Sequence, residues 1–466
     1  TYSPVPLIAV IRILLAVTCT PQWKASAWDM GNAFLATDLV GKTVIVRPPE
    51  SLVQLNIIKP NTYWHIQKDV YGLQESNRNF HKAKTKKVLS FYSSTNLRFT
   101  QSKAEPCLFI IHDKQNKPLT YLIGYVDDLI IIDRSPNEHL TQEIISHLKD
   151  KSNNQTGWEI TSQGVLERFL GVHFQRHPDG HWSYDTAAYI QKSIDTFNKT
   201  TLPPKPATPL PPNFTIDPND WLDYKEDKNF TKHYQSCIGK LVYAVTCGRF
   251  DIAYAISTLS QYLTKPTHTL LDAAYRVMSY LSHTKDLTIQ YSLPSNPAQQ
   301  NYLIAAADAS FAGCLNTRRS QTGYVLWING GPIAFKSTRQ DTVATSTTEA
   351  ELWALYTTAR EVLYFRNILK DMGYPQPTTP IYEDNRPVLD LCQQDMSPGH
   401  SRTKHMDIKW RWIVEIITTH HIKTLYCPSE LNPADIFTKP LPRPAFQNGI
   451  NLVLSPPYNL TPLEPD

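Results

Sequence analysis

Apolar residues recur along this chain in two rhythms, one at helical spacing and one in strict alternation, and the switches between them mark its elements. In the opening VPLIAVIRILLAV, apolar positions 7, 8, 11, 14 and 15 share one helical face, which predicts a buried helix. The run is too short for a membrane span, is broken by Arg12, and precedes no small-residue cleavage site. The chain enters this helix abruptly, which implies further sequence ahead of it. WKASAWDMGNAFL reads as a short apolar strand with Asp29 at its end, leading into a turn. KTVIVRPPE alternates as a strand and stops at two prolines. RNFHKAKTKKVLSFY reads as a basic helix, LTYLIGYV and LIIID as a hairpin, and EHLTQEIISHLK as a helix. Strands and helices mixed in this way predict an α+β region over residues 1–200.

Six prolines between Pro203 and Pro212 predict a semi-rigid linker at 201–213. Residues 214–300 read as a helical connection, with apolar positions 270, 271, 274, 277, 278 and 281 on one face and no acidic cluster, hence scaffold. From Asn301 three strands follow in succession, YLIAAADAS, TGYVLWI and GPIAFKS. A long helix runs from Thr348 to Asp371 and ends at Gly373. A strand (TPIYED), helices near 385–394 and 406–418, a strand (IKTLYCP) and a short final helix complete an α/β segment at 301–445, with a tail at 446–466. The fold class is thus multidomain, α+β followed by α/β.

Composition narrows the picture little: 41% hydrophobic and 19% charged residues are globular values, and a net charge of +4 leaves any nucleic-acid surface to local clusters. Lys82, Lys84, Lys86 and Lys87 form one such cluster and are candidate phosphate contacts, with a solvated helix face as the alternative. The seven cysteines are scattered without a Cys-x-x-Cys pair, so neither a disulfide framework nor a zinc site is expected, and a reducing intracellular compartment fits.

Two acidic sets carry the candidate chemistry. Asp127 and Asp128 interrupt the otherwise buried YLIGYVDDLIII, where burying charge is costly unless it is paired or bound to metal. A metal site for phosphoryl transfer and an acidic hairpin turn are equal readings of those residues alone. In the C-terminal segment, Asp308 closes the first strand, Glu351 lies in the first turn of the long helix, Asp384 closes IYED, and Asp435 begins the last helix. Taken jointly, four carboxylates on such elements could bind two Mg²⁺ ions. Singly, Asp435 is a helix-start acid and Asp308 a turn former, and Glu349 competes with Glu351.

The strings WDMGNAFLATDL, VYGLQES, YVDDLIII, RFLGV, CIGKLVYAVTCGRFDIAYAISTLSQYL, AADASFAG, STRQDTVATSTTEAELWAL, EDN, SRTKHMDI and NPADIFTKPL stand in one order from about residue 2 to residue 442. In that order they resemble the reverse transcriptase–ribonuclease H segment of copia-type long-terminal-repeat retrotransposon polyproteins. The resemblance implies a ferredoxin-like polymerase palm with incomplete fingers, a helical thumb and connection, and a ribonuclease H-like α/β domain. It assigns Asp29, Asp127 and Asp128 to polymerase metals, and Asp308, Glu351, Asp384 and Asp435 to nuclease metals, with two Mg²⁺ per site and Mn²⁺ as an alternative. Glu351 is preferred to Glu349 because LWA follows it. Phe34 matches the aromatic gate against a ribose 2′-hydroxyl, and a rigid ring there would exclude that atom. Tyr71, Gly72 and Tyr125 match nucleotide- and template-side positions, and Gly171 matches the primer grip. Arg402, Lys404 and His405 match a basic motif toward the nucleic-acid backbone, against a solvated loop as the alternative.

The implied partners are an RNA template, a DNA or tRNA primer, RNA/DNA hybrid, deoxynucleoside triphosphates and other element-encoded proteins, with no membrane. The implied location is a cytoplasmic virus-like particle, with nuclear entry as an option. The family's basic fingers residues precede the motif that here begins at Thr1, and Glu75 adds a negative charge near the expected nucleotide. Ser310 stands where the family has a second aspartate, and PSELNP lacks the histidine of many ribonucleases H. These departures predict a nuclease centre more complete than the polymerase centre. The competing reading is a truncated or decayed copy that binds nucleic acid and retains at most the nuclease, although all seven acids persist.

Overall fold

A computed structural model describes residues 4–39, 42–134, 139–152, 156–196, 202–222, 225–314, 317–393 and 404–455. Contacts divide the chain into two compact units, Thr1–Leu7 with Gln22–Leu166 and Asp371–Gly373, and Ile8–Pro21 with Glu167–Lys370 and Tyr374–Asp466. The division falls at Leu166/Glu167 rather than in the proline-rich stretch.

The opening helix, α1 (Ile8–Val17), belongs to the second unit and is buried from Val10 to Val17. Burial extends to Arg12, whose guanidinium donates to the carbonyls of Thr246 (2.6 Å) and Ile333 (3.4 Å) and lies over the Phe335 ring. A cation can be buried there because backbone oxygens and a ring face replace its water.

The first unit comprises β1 (Trp23–Gly31), β2 (Val44–Val46), α2 (Glu50–Gln54), β3 (Trp64–Ile66), α3 (Ser76–Leu89), β4 (Phe99–Gln101), β5 (Leu108–His112), β6 (Pro118–Tyr125), β7 (Asp128–Arg134), α4 (His139–Lys149) and β8 (Glu159–Val165). Six strands form one antiparallel sheet in the order β4-β5-β6-β7-β1-β8, while β2 and β3 pair separately. Residues two apart face the same side of a strand, so Leu129 and Ile131 of β7 join Phe109 and Ile111 of β5 in one apolar cluster. Phe80 and Val88 of α3 and Leu140, Ile144 and Leu148 of α4 cover that face. The predicted hairpin is present, with only Val126 and Asp127 between the paired residues Tyr125 and Asp128.

The second unit continues with β9 (Arg168–Phe169), β10 (Val172–Arg176), β11 (Trp182–Asp185), α5 (Ala187–Asp195), α6 (Lys228–Cys247), α7 (Ala253–Leu259), α8 (His268–His283) and β12 (Ile289–Tyr291). Pairing of β12 with β11 closes a four-stranded sheet across a long sequence interval, which is why residues from Glu167 onward join the helices that follow them. The proline stretch is not a free spacer: Leu210 is buried and Ser279 Oγ donates to the carbonyl of Pro203 (2.6 Å). On α8, Leu270, Leu271, Ala274, Val277, Met278 and Leu281 are all buried, the face that the spacing predicts.

The remaining elements are β13 (Ile304–Ser310), β14 (Gln321–Ile328), β15 (Gly331–Arg339), α9 (Thr347–Asp371), β16 (Thr379–Glu383), α10 (Arg386–Gln393), α11 (Lys404–Thr418), β17 (Ile422–Tyr426) and α12 (Arg443–Leu454). Their sheet runs β15-β14-β13-β16-β17, antiparallel across the first three strands and parallel from β13 to β17. This mixed order matches the α/β segment expected from residue 301 onward, so the α+β and α/β classes both hold. Two boundaries differ from expectation. Asp435 opens a single 3₁₀ turn (Asp435–Phe437), not the last helix, and α12 extends into the expected tail because Phe446, Ile450 and Val453 bury their side chains. No helix among the described residues is long and apolar enough to cross a membrane.

Candidate active sites

The first unit gathers its acids at the β1–β7 edge. Asp29 and Asp128 are direct partners in the antiparallel ladder, and Met30 N–H donates to the carbonyl of Asp127 (2.8 Å). The Tyr71 hydroxyl donates to Asp127 Oδ2 (3.1 Å), while Asp127 Oδ1 is buried with no hydrogen-bond partner among the described residues. Burial raises the pKa of Asp127, and of Asp128 too, where the Asp29 charge adds to it. Phe34 meets Tyr71 edge-to-face at 4.7 Å and packs on Phe80 at 5.5 Å, so the expected gate residue is fixed by the core and adjoins the acids through Tyr71. Tyr125 is half-buried at the end of β6, and Gly72 has φ +95°. Gly171 lies in the second unit, in the β9–β10 turn.

Not all four lysines of α3 are phosphate contacts in waiting. Lys84 and Lys87 point inward: Lys84 Nζ donates to the carbonyl of Val126 (3.1 Å) and Lys87 Nζ to that of Asp150 (2.8 Å). Phe80, Lys84 and Lys87 stand at i, i+4 and i+7, so the two lysines share the buried face of the helix. Lys82 and Lys86 keep the solvent-side role open. Glu75 is neutralised by Lys42 (2.9 Å), which holds its carboxyl below the usual range.

In the second unit, Asp308 of β13, Glu351 of α9 and Asp384 just after β16 each offer a carboxylate oxygen within 4.8 Å of the others. It is the only such grouping of potential ligands among the described residues. Glu351 enters it, whereas Glu349 caps its helix: its carboxylate accepts from Thr345 N (2.6 Å) and Oγ1 (2.8 Å), and its N–H donates to Ser346 Oγ (3.1 Å). That reciprocal arrangement is a capping box, displaced by one residue on the acceptor side.

Asp435 stands beside this trio, ion-paired with Lys439 at 2.5 Å. The turn that carries it docks against β14 because Gly323, the ladder partner of Asp308, lacks a side chain. A Cβ there would lie 2.7 Å from both Phe437 and Thr438. Asn432 ties the same turn to β13 through the carbonyl of Ala307 (2.9 Å), and Thr438 Oγ donates to Asp308 Oδ2.

Burial raises the pKa of Asp308, with the field of Asp435 next in size. Glu351 is raised by burial and then by Glu383. Glu383 is a fifth acid that sequence reasoning passed over. It is fully buried, and its pKa is raised by burial and by adjacent Asp384. Its signal in the sequence is the string EDN, in which it directly precedes the strand-closing Asp384. One oxygen each of Glu351 and Glu383 is buried without a hydrogen-bond partner among the described residues. Orphaned buried carboxylate oxygens in an all-oxygen donor set fit a hard divalent cation. Lys404 and His405 begin α11, but their side chains, and Arg402 altogether, lie outside the described residues.

Residues 1–211 match the family described as reverse transcriptase (RNA-dependent DNA polymerase). The chain is 28% identical over 449 residues to the Retrovirus-related Pol polyprotein from transposon TNT 1-94 of Nicotiana tabacum, covering 96% of this chain and 32% of that protein. It is 28% identical to the corresponding polyprotein from transposon RE1 of Arabidopsis thaliana, covering 96% and 28%. The Transposon Ty1-DR5 Gag-Pol polyprotein of Saccharomyces cerevisiae is 23% identical, covering 93% and 24%. The chain thus spans about a third or less of these relatives. Among solved structures, the foamy viral protease-reverse transcriptase in complex with dsDNA aligns at a TM-score of 0.45 and 14% identity, covering 90% of this chain and 70% of that one. LC11-RNase H1, isolated from compost, aligns at 0.24 and 20% identity, covering 34% of this chain and all of its own.

Proposed function

We propose that this chain belongs with the copia-type Pol polyproteins it resembles, its residues 1–211 being the reverse transcriptase region, and that it is an RNA- and DNA-directed DNA polymerase joined to a ribonuclease H. The observation that carries the reading is the meeting of Asp308, Glu351 and Asp384, from three separate elements, within 4.8 Å in a largely buried setting. Carboxylates crowded together away from water are costly unless a cation lies among them.

Asp308, Glu351, Asp384 and Asp435 are the ligands of the nuclease centre in this reading, and Asp29, Asp127 and Asp128 those of the polymerase centre. Mg²⁺ suits both sets, with Mn²⁺ as a substitute. When bound, two such ions polarise a phosphodiester and stabilise the charge developing on its attacking and leaving oxygens. The protein's own share is positioning. The β1–β7 ladder fixes Asp29 against Asp128, Tyr71 orients one oxygen of Asp127, and Thr438 orients one oxygen of Asp308. Lys439 pairs with Asp435 and opposes the burial that raises its pKa, and Phe34, immobilised between Tyr71 and Phe80, excludes a 2′-hydroxyl by contact. The substrates of this reading are an RNA template with a DNA or tRNA primer, deoxynucleoside triphosphates and RNA/DNA hybrid. Its setting is a virus-like particle in the cytoplasm, with other element-encoded proteins as partners.

Primer extension and hybrid cleavage measured on the same chain test the proposal. Asp127→Asn is expected to abolish extension and spare cleavage, and Asp384→Asn to do the reverse. Cleavage untouched by Asp384→Asn removes the nuclease assignment, and extension untouched by Asp127→Asn removes the polymerase assignment.

A further inference from the structure

The turn between β6 and β7 contains a residue in a conformation its side chain disfavours. Val126 has φ +51°, in the left-handed region, as the first residue of a two-residue hairpin loop. Such loops favour glycine, asparagine or aspartate there, and a β-branched residue is a conformational outlier. Strain of this kind is unfavourable and persists only where the surroundings hold it.

What surrounds the turn is unusual in a second way. Behind it, within the buried face of α3, lies a lysine where apolar packing alone would call for leucine. Lys84 is 3% exposed, its ammonium 4.9 Å from the centre of the Phe80 ring. That ammonium donates to the carbonyl of Val126 at 3.1 Å. It lies against Gly124, where a Cβ would stand 2.8 Å from Nζ and 3.3 Å from Cε of Lys84 and so displace the ammonium from this position. The three observations concern one point in space: a strained peptide, a buried cation bonded to it, and a missing side chain that admits the cation. A buried ammonium costs free energy that a leucine in its place would not, so filling the core does not explain it.

We propose that Lys84 is a positioning residue for polymerisation: seated in the space left by Gly124 and bonded to the Val126 carbonyl, it holds the turn in the left-handed form that presents Asp127 and Asp128. The inference rests on the polymerase reading above for its chemistry, though not for its geometry. A charge-assisted hydrogen bond to a carbonyl is about twice as strong as a neutral one, and here it acts on the peptide whose rotation would swing the Asp127 carboxylate. Lys84 touches neither substrate nor metal in this account; it acts through the turn.

The test is the double variant Lys84→Leu/Gly124→Ala, in which the methyl group refills the space the ammonium leaves and only the Leu129 side chain must yield slightly. Expected are cooperative unfolding like the parent, unchanged hybrid cleavage, and a kcat for primer extension lower by roughly ten- to a hundredfold, as about an ångström of misplacement produces. KM for the template-primer should stay near its parent value, which a general loosening of the fold would not spare. Crystal structures of parent and double variant supply a readout independent of activity, with Val126 expected to leave positive φ in the variant. If the variant keeps that φ and extends primers at the parent rate, Lys84 is a filler and the proposal is overturned. If the parent itself extends nothing, the polymerase reading fails, and the crystallographic comparison still decides whether Lys84 holds the turn.

Discussion

Asp29 and Asp128 face each other across the β1–β7 ladder, two carboxylates at the closest approach an antiparallel sheet offers. Like charges directly opposite destabilise a sheet by roughly 0.2–1 kcal/mol, so this pair should work against the fold until a cation lies between its members. Asp128→Asn is therefore expected to raise the melting temperature in chelator by about 2–4 °C per kcal/mol recovered, while abolishing extension. Mg²⁺ should stabilise the parent and lose most of that effect on the variant. Thermal melts with and without Mg²⁺ check this, and a variant that melts below the parent in chelator contradicts it.

Glu349 and Glu351 sit two residues apart on α9 and should respond oppositely to the same change. Glu349→Gln weakens a helix cap, at about 1 kcal/mol of stability, with hybrid cleavage retained. Glu351→Gln removes an oxygen donor from the acidic trio, so cleavage should be lost while stability in chelator rises, because burial, and then the fields of Glu383 and Asp308, no longer act on a carboxylate. Cleavage rates and chelator melts on the two variants separate the roles; equal losses of cleavage would refute the division.

Periodicity made the regular elements of both units legible. The β6–β7 hairpin, the three strands after Asn301 and the long helix α9 lie close to where apolar spacing puts them. Three things were not legible, each for a physical reason. Lys84 reads as surface by its charge alone, and the space beside Gly124 that its ammonium occupies comes from a distant segment of the sequence. The division of the chain depends on β12 pairing with β11, a contact between distant segments that leaves no local trace. Glu383 was hidden by alternation: adjacent strand residues face opposite ways, yet both it and Asp384 act on Glu351 because the strand ends between them.

The helical stretch that read as scaffold conceals a charged core. Arg249 and Asp251 form a bidentate pair at 2.9 and 2.6 Å, joined by the hydroxyls of Tyr280 (2.8 Å) and Thr284 (2.5 Å), with both charged side chains almost wholly buried. Removing one partner strands the other charge, so Asp251→Ala should cost about 3–5 kcal/mol. Replacing both, as Arg249→Met/Asp251→Leu, should recover most of that loss because neither charge then needs solvation. Denaturant melts on the single and double variants test the coupling, and additive losses would show that the pair is not the unit of stability.

Asp133 gives the fold a pH dependence separate from either acidic centre. It lies in β7 beside Thr120, is 2% exposed, and accepts a hydrogen bond from the Thr141 hydroxyl. Burial pushes its carboxyl up to about 6 from an ordinary 3.8, against the opposing pull of the Thr120 and Thr141 hydroxyls. Between those two values the folded chain holds a proton that the unfolded chain has released. Stability from this group is therefore complete below the unfolded value and is lost as pH rises through the folded one. Asp133→Asn keeps the shape and the acceptor for Thr141 but carries no charge to desolvate. The variant should exceed the parent in stability by roughly 1–3 kcal/mol at pH 8, from two pKa units at about 1.4 kcal/mol each as an upper bound. The gap should narrow through pH 6 and close near pH 4. Denaturant melts of both proteins at these pH values measure it directly, since every other titrating group is common to the pair. A gap that stays constant, or that widens toward acid, would mean that Asp133 is charged in the fold and that its neighbours solvate it fully.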